Sequence, residues 1–230
     1  MWAGQLQAIA SANHRAYTVD LPGFGQAALP EGGPPSLDAY ATAVFAWMDA
    51  QEIPAATLVG LSLGGYTALA MYRLAPERVR ALVLADTRAG ADTPEAKAGR
   101  VVSLGVVRQK GPAGILDRLI PGLLAAGTRR TVRDEVCAMA ARQTSEGVSY
   151  ALVAMRDRAD ERELLGKITV ATLVIVGEHD QVTPPAEMLA MAEAIPRGRY
   201  AVVPGAGHLS ALEQPTEFNR LLVEFVTNEG

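Results

Sequence analysis

Five short runs along the chain are apolar almost throughout, instead of alternating between apolar and polar positions. Runs of this kind are typical of parallel strands that helices cover on both faces, because both sets of side chains are then buried. Their length of a few residues also favours strands over helices. The predicted strands are Ala16–Val19, Thr57–Val59, Ala81–Leu84, Thr172–Val176 and Tyr200–Val203.

Amphipathic helices are predicted between and after these strands. Ser36 can cap a helix over Leu37–Ala50, and Thr183 can cap another, with Pro184 in its first turn. A third helix is predicted over Thr216–Val226. The side chains expected to face inward from the second helix are Met188, Leu189 and Ala192. Strands that alternate with helices in this way predict an open, mostly parallel α/β sheet with helices on both faces.

One long stretch, from about Thr87 to Lys167, contains no convincing strand and is rich in Ala, Arg, Leu and Glu. A loop of this length without secondary structure would be unusual in a compact domain. We therefore expect several helices inserted between two strands. The predicted organisation is a core made of residues 1–86 and 169–230, with residues 87–168 as an inserted helical segment.

The most informative motif is Gly60-Leu61-Ser62-Leu63-Gly64, which directly follows a predicted strand and opens a helix. A serine at such a strand-to-helix turn is held in a strained backbone with its Oγ above the sheet. The turn is so tight that Gly60 and Gly64, two positions away on each side, are expected to be glycine because a side chain would not fit. The pattern predicts Ser62 as a nucleophile, and the Leu63 N–H as an oxyanion donor. The alternative is a structural serine in a glycine-rich turn.

A serine hydroxyl needs a base to accept its proton. His208 follows the last predicted strand, which places it at the carboxyl edge of the sheet together with Ser62. His14 precedes a predicted strand and so belongs to the opposite edge, whereas His179 is expected to lie in a surface loop. His208 is therefore the predicted base.

The base in turn needs a carboxylate to orient it. Asp180 comes directly after the Thr172–Val176 run, and Asp86 comes after Ala81–Leu84. We favour Asp180, because its strand should neighbour the one that leads to His208. Asp86 remains the alternative.

Composition narrows the classes of function. The chain has 230 residues, of which 49% are hydrophobic and 20% charged, as expected for one globular domain with a sizeable core. The net charge of −4 argues against a nucleic-acid binder, which would normally have a basic face. A single cysteine excludes an intrachain disulfide.

Other sequence signals are absent. No residues have the spacing of a metal site and no phosphate-binding loop occurs, so no cofactor is expected. No apolar run is long enough to cross a membrane, and the first residues do not have the pattern of a signal peptide. We therefore expect a cytoplasmic protein that does not act on membranes.

Together, several segments make the chain resemble the α/β-hydrolase fold family over essentially its whole length. The matching segments are Asp20–Gly25, Gly60–Gly65, Ala75–Val79, Gly177–Pro185, Gly205–His208 and Glu213–Pro215. The resemblance implies that the inserted helices form a cap over the active site. Within the family the chain is most similar to small bacterial esterases, lactonases of the 3-oxoadipate enol-lactone type and cofactor-free haloperoxidase-like members.

The chain departs from the family pattern at its N-terminus. Family members begin with further strands, the third of which ends in a His-Gly loop that supplies a second oxyanion donor. That strand would lie between the Ala16–Val19 and Thr57–Val59 strands, which must otherwise pair with each other or leave backbone groups unpaired. We expect Met1 to be an internal methionine of a longer protein.

The expected activity is hydrolysis of a small carboxylic ester or lactone through an acyl-enzyme, with Ser62, His208 and Asp180 as the catalytic triad. Alternatives on the same triad are C–C bond hydrolysis, thioester hydrolysis and haloperoxidase-like chemistry. A further alternative is a truncated homologue that binds without catalysing. The only expected partner is the small-molecule substrate.

Overall fold

The structure of this chain, a computed structural model, describes residues 1–229 apart from the side chains of residues 117 and 118. Its sheet has four parallel strands in the order β1-β2-β3-β4. Four of the five predicted strands are therefore confirmed, each with slightly wider bounds. The strands are β1 (Ala56–Leu61), β2 (Val79–Ala85), β3 (Ala171–Gly177) and β4 (Gly198–Val203).

Helices connect the strands, and two short 3-10 turns lie at Pro76–Arg78 and Pro112–Ile115. The first five α-helices are α1 (Ala3–Ser11), α2 (Leu37–Ala50), α3 (Leu63–Leu74), α4 (Pro94–Lys110) and α5 (Leu116–Leu123). The remaining six are α6 (Arg130–Ala141), α7 (Ser145–Arg156), α8 (Arg162–Leu165), α9 (Pro185–Glu193), α10 (Ser210–Glu213) and α11 (Pro215–Glu229). Ser36 caps α2 as predicted, since its Oγ accepts a hydrogen bond from the Ala39 N–H at 3.1 Å.

The side chains of the central strands alternate between two cores. Leu82 and Leu84 of β2 pack on one face with α3 and α9, whereas Val83 of β2 packs on the other face with α1 and α11. All three side chains are completely buried, so β2 is covered on both faces. In α9, Met188 is buried as predicted, but Leu189 is 40% exposed and does not face the core.

The predicted strand at Ala16–Val19 is wrong. Residues 16–18 are exposed and form no regular structure. β1 pairs with β2 along one edge, and no strand in residues 1–229 pairs along its other edge. Ala16–Val19 and β1 do not pair with each other, so the backbone of this apolar run is not part of the sheet. Tyr17 packs instead edge to face on Trp47. A cavity of about 180 Å³ lies between residues 19–28 and α2.

Between β2 and β3 the described chain contains helices and turns but no strand. The two ends of this inserted segment (residues 87–168) meet at a buried ion pair, which we call the neck. The Arg158 guanidinium binds the Asp92 carboxylate at 2.5 Å and the Gly90 carbonyl at 2.8 Å. It also lies over the ring of Tyr66 on α3, 4.4 Å from the centroid, so the neck is fixed to the core.

None of the helices in the described residues is both long enough and apolar enough to cross a membrane.

Candidate active site

Ser62 occupies the tight turn between β1 and α3. Its φ of 50° lies in the left-handed region, which side chains rarely adopt. The turn is fixed from β2 and the residues after it: the Ser62 N–H donates to the Ala85 carbonyl at 2.9 Å, and the Thr87 hydroxyl donates to the Ser62 carbonyl at 2.8 Å. Such a strained serine is typical of a functional position held by its surroundings.

The glycines of the turn have different roles from those predicted. A Cβ at Gly60 would clash with the Gly64 carbonyl, and one at Gly65 would clash with the Thr87 side chain. A Cβ at Gly64 would meet no described atom within 4 Å. Gly60 is therefore required for lack of space, as predicted, but the second crowded position is Gly65 and not Gly64.

The three residues predicted for catalysis lie together at the carboxyl edge of the sheet. His208 Nε2 is 2.9 Å from Ser62 Oγ, and His208 Nδ1 is 2.9 Å from Asp180 Oδ2. His208 is 2% exposed and Asp180 3% exposed, so the contact between them is shielded from water, whereas Ser62 is partly exposed. If Asp180 accepts the Nδ1 proton, Nε2 is left free to accept the proton of Ser62.

Asp180 is surrounded by donors. Its Oδ1 accepts the N–H groups of Val182 at 2.8 Å and Thr183 at 2.9 Å, and its Oδ2 accepts the Thr183 hydroxyl at 2.5 Å. Burial favours the neutral acid, but hydrogen bonds from His208 and Thr183 outweigh it and hold the pKa of Asp180 below its ordinary value. An ionised Asp180 is suited to stabilise a protonated His208.

Thr183 was predicted as the cap of a helix, and this is wrong. Its hydroxyl is used by Asp180, Pro184 takes the cap position, and α9 begins at Pro185. The spacing of Asp180 and Thr183, three residues apart in a turn, is the sequence signal that could have revealed this contact.

Asp86, the alternative acid, makes different contacts. It is completely buried, has a φ of 44°, and accepts hydrogen bonds from the Gly177 N–H at 2.8 Å and from the N–H and hydroxyl of Ser210. Burial raises the pKa of Asp86 to about 7, against the opposing effects of His208 and of these donors. Asp86 thus ties the end of β3 to the start of α10, two residues after His208, a role that the sequence pattern did not predict.

The Leu63 N–H opens α3, where helix geometry leaves the first N–H groups without intrahelical partners. This group and the positive end of the helix dipole lie next to Ser62, as required of an oxyanion donor. Of the other histidines, the side chain of His179 is 56% exposed beside Glu178. Within the described residues, no group of three or more His, Cys, Asp or Glu side chains is arranged to hold a metal ion.

Comparisons with known proteins show the family to which the chain belongs. The sequence profile of the alpha/beta hydrolase family matches residues 1–221. A pimeloyl-[acyl-carrier protein] methyl ester esterase of Neisseria meningitidis is 30% identical, over 90% of this chain and 81% of its own length. The 3-oxoadipate enol-lactonase 2 of Acinetobacter baylyi is also 30% identical, over 87% of this chain and 74% of its own length.

A solved structure extends the likeness to three dimensions. A thermophilic esterase from Thermogutta terrifontis has a TM-score of 0.94 and 34% identity, over 99% of this chain and 84% of the esterase. Family profile, relatives and structure point to the same conclusion. The chain belongs to the alpha/beta hydrolase family and has the α/β-hydrolase fold.

Proposed function

We propose that this protein is a serine hydrolase that cleaves a small carboxylic ester or lactone through an acyl-enzyme intermediate. The observation that carries the proposal is the continuous chain of contacts from Ser62 through His208 to Asp180, with 2.9 Å at each step. A nucleophile, a base and an orienting acid in this geometry are the parts that acyl transfer requires.

In the proposed reaction, Ser62 Oγ attacks the acyl carbonyl while His208 Nε2 accepts its proton. The lowered pKa of Asp180 keeps a negative charge beside the imidazolium that forms. His208 then gives the proton to the leaving alcohol oxygen, and the C–O bond of the ester breaks. Water, activated by the same histidine, attacks the acyl-enzyme and releases the acid.

The tetrahedral intermediates place a negative charge on the former carbonyl oxygen. The Leu63 N–H is the donor that we assign to this oxygen, since it follows Ser62 directly and starts α3. One oxyanion donor is typically worth about 10² to 10³ in rate. The N-terminal end of the helix adds to this stabilisation.

The inserted segment is proposed as a cap over the site. The His208 N–H donates to the carbonyl of Leu123 in α5 at 2.9 Å, so this part of the segment lies against the loop of the proposed base. Esters and lactones are favoured as substrates because the relatives at 30% identity include a methyl ester esterase and an enol-lactonase.

The decisive experiment is covalent labelling of the purified protein with a fluorophosphonate probe. Wild-type protein is expected to be labelled at Ser62, because the probe reports an activated serine. Labelling and hydrolysis of p-nitrophenyl acetate are both expected to fall by at least about 10³-fold in Ser62→Ala and His208→Ala. Ser11→Ala is the matched control, since Ser11 is exposed on α1.

Labelling that survives in Ser62→Ala would contradict the assigned nucleophile. A protein that folds but neither reacts with the probe nor turns over an ester or a five-membered lactone would contradict the proposed activity. The controls keep loss of fold apart from loss of chemistry, provided that the circular dichroism spectra of all variants agree.

A further inference from the structure

A second buried carboxylate, Glu213 at the end of α10, contacts the loop that carries His208. It is 5% exposed, and both of its oxygens accept hydrogen bonds. Oε1 accepts the N–H of Gly207 at 2.9 Å and of Leu209 at 3.2 Å. These two residues flank His208, so one oxygen atom holds the backbone on both sides of the proposed base.

The other oxygen of Glu213 faces the inserted segment. Oε2 accepts the Ala125 N–H at 2.8 Å and the hydroxyl of Thr128. Both donors lie in the loop between α5 and α6, which we call the 124–128 loop. One carboxylate therefore joins the inserted segment to the backbone of the His208 loop.

The two loops are also in direct contact. The His208 N–H donates to the Leu123 carbonyl at 2.9 Å. At Gly207 a Cβ would lie 2.6 Å from the Ala125 nitrogen, so the backbones approach too closely for any side chain there. A shift of the 124–128 loop cannot occur without a change in the contacts of Gly207 or Glu213.

We propose that Glu213 is a positioning residue that sets the orientation of His208 and couples it to the 124–128 loop of the inserted segment. Glu213 binds the N–H groups of the residues before and after His208, and Leu123 binds the N–H of His208 itself, so the direction of the His208 Cα–Cβ bond is fixed. Movement of the inserted segment is transmitted through the same carboxylate to the ring that contacts Ser62. The inference rests on the proposed role of His208 as the base.

The test uses two conservative variants of the whole protein. Glu213→Gln keeps the shape but replaces one accepting oxygen by a donor, so at least one of the four hydrogen bonds is lost. Thr128→Val removes only the hydroxyl on the side of the inserted segment. Val79→Ala is the control. Val79 is buried at the first position of β2, in a core cluster that contains no residue of either loop, so its truncation lowers stability without changing their contacts.

For Glu213→Gln we expect kcat for p-nitrophenyl acetate to fall about 10- to 100-fold with KM changed less than about threefold, since a base displaced by a fraction of an ångström acts poorly. For Thr128→Val we expect a smaller fall in kcat of the same kind. Val79→Ala is expected to lower the melting temperature and leave kcat unchanged. A fall in kcat that only follows the melting temperature across the three variants would overturn the proposal.

Amide hydrogen exchange measured by NMR supplies a readout that does not depend on catalysis. In both Glu213→Gln and Thr128→Val, exchange at Gly207 and Leu209 is expected to accelerate more than exchange in β3. Unchanged exchange at these amides in Thr128→Val would overturn the coupling between the loops. The two proposals can fail separately. If the wild-type protein is not labelled at Ser62 but the variants show the expected faster exchange, the proposed function is contradicted and the contact between the loops is supported.

Discussion

The two edges of β1 differ sharply. Along one edge β1 is in register with β2, and the backbone ladder continues past the strand ends: the Ser62 N–H binds the Ala85 carbonyl and the Asp86 N–H binds the Ile175 carbonyl. Along the other edge, residues 12–36 contain only turns and irregular structure, and residues 15–18 are exposed. We call these the paired side and the unpaired side.

The comparison shows that an apolar run forms a strand only where a neighbouring strand completes its backbone hydrogen bonds. The run at Ala16–Val19 has a pattern similar to those of the four strands, but it has no neighbour to complete its hydrogen bonds. On the paired side the hydrogen-bond ladder fixes the register of the strands and so the positions of their carboxyl ends. That register brings Ser62, Asp180 and His208 within hydrogen-bonding distance, although they are far apart in sequence.

The largest expected effect is that of Asp86, a buried carboxylate on the paired side, on the free energy of unfolding. The pKa of Asp86 is raised by burial from 3.8 to about 7. Between these values the folded state holds a proton that the unfolded state has lost, so the contribution of Asp86 to stability is full below pH 4 and disappears as pH rises to about 7. The slope is about 1.4 kcal/mol per pH unit, on the order of 4 kcal/mol in total.

Asp86→Asn is therefore expected to flatten the pH dependence of the free energy of unfolding, measured by urea denaturation from pH 4.5 to 8. The difference between wild type and variant should shrink as pH rises. A difference that grows with pH would mean that the three donors keep Asp86 ionised. Asp20→Asn on the exposed, unpaired side is the matched control, with an expected change below about 0.5 kcal/mol.

A matched pair of valines gives the next largest effect. Val59 of β1 and Val83 of β2 are partners in the ladder, but Val83 is completely buried while Val59 is 36% exposed. Val83→Ala should cost about 2–3 kcal/mol, since two buried methyl groups are lost and a cavity is left. Val59→Ala should cost less than about 1 kcal/mol. Equal losses in denaturant unfolding would show that the outer edge of β1 is not a free edge.

The smallest effect is expected at Tyr17 on the unpaired side. Its side chain is half exposed and contacts Trp47 edge to face at a centroid distance of 5.6 Å. Tyr17→Ala should therefore cost under about 1 kcal/mol and lower the melting temperature by no more than about 3 °C. A larger shift in differential scanning calorimetry would indicate that the segment is tied into the core.

Local signals in the sequence were sufficient for much of the fold. The capping serine of α2, the glycine-flanked turn at Ser62 and the apolar strands β1 to β4 each depend on neighbouring residues. The meeting of Ser62, His208 and Asp180 also followed, because parallel strands bring their carboxyl ends to one edge.

What the sequence did not reveal depends on distant partners. The Ala16–Val19 run failed as a strand for lack of a neighbouring strand, which no local pattern can report. Thr183 was interpreted from its neighbour Pro184, although its hydroxyl is used by Asp180. Glu213 binds residues more than eighty positions away in the inserted segment, so its neighbours in the sequence could not predict its contacts.

The neck has a consequence for how the protein can be modified. Because Arg158 holds both Gly90 and Asp92, the inserted segment leaves and rejoins the core at one fixed point. The entropy of closing the excursion then depends only weakly on its length. A helical graft of different size between these anchors is expected to leave the spacing of β2 and β3 unaltered, provided that it keeps residues 123–128, which contact the His208 loop. The size of the inserted segment and the spacing of the two strands are in this sense independent features of the molecule.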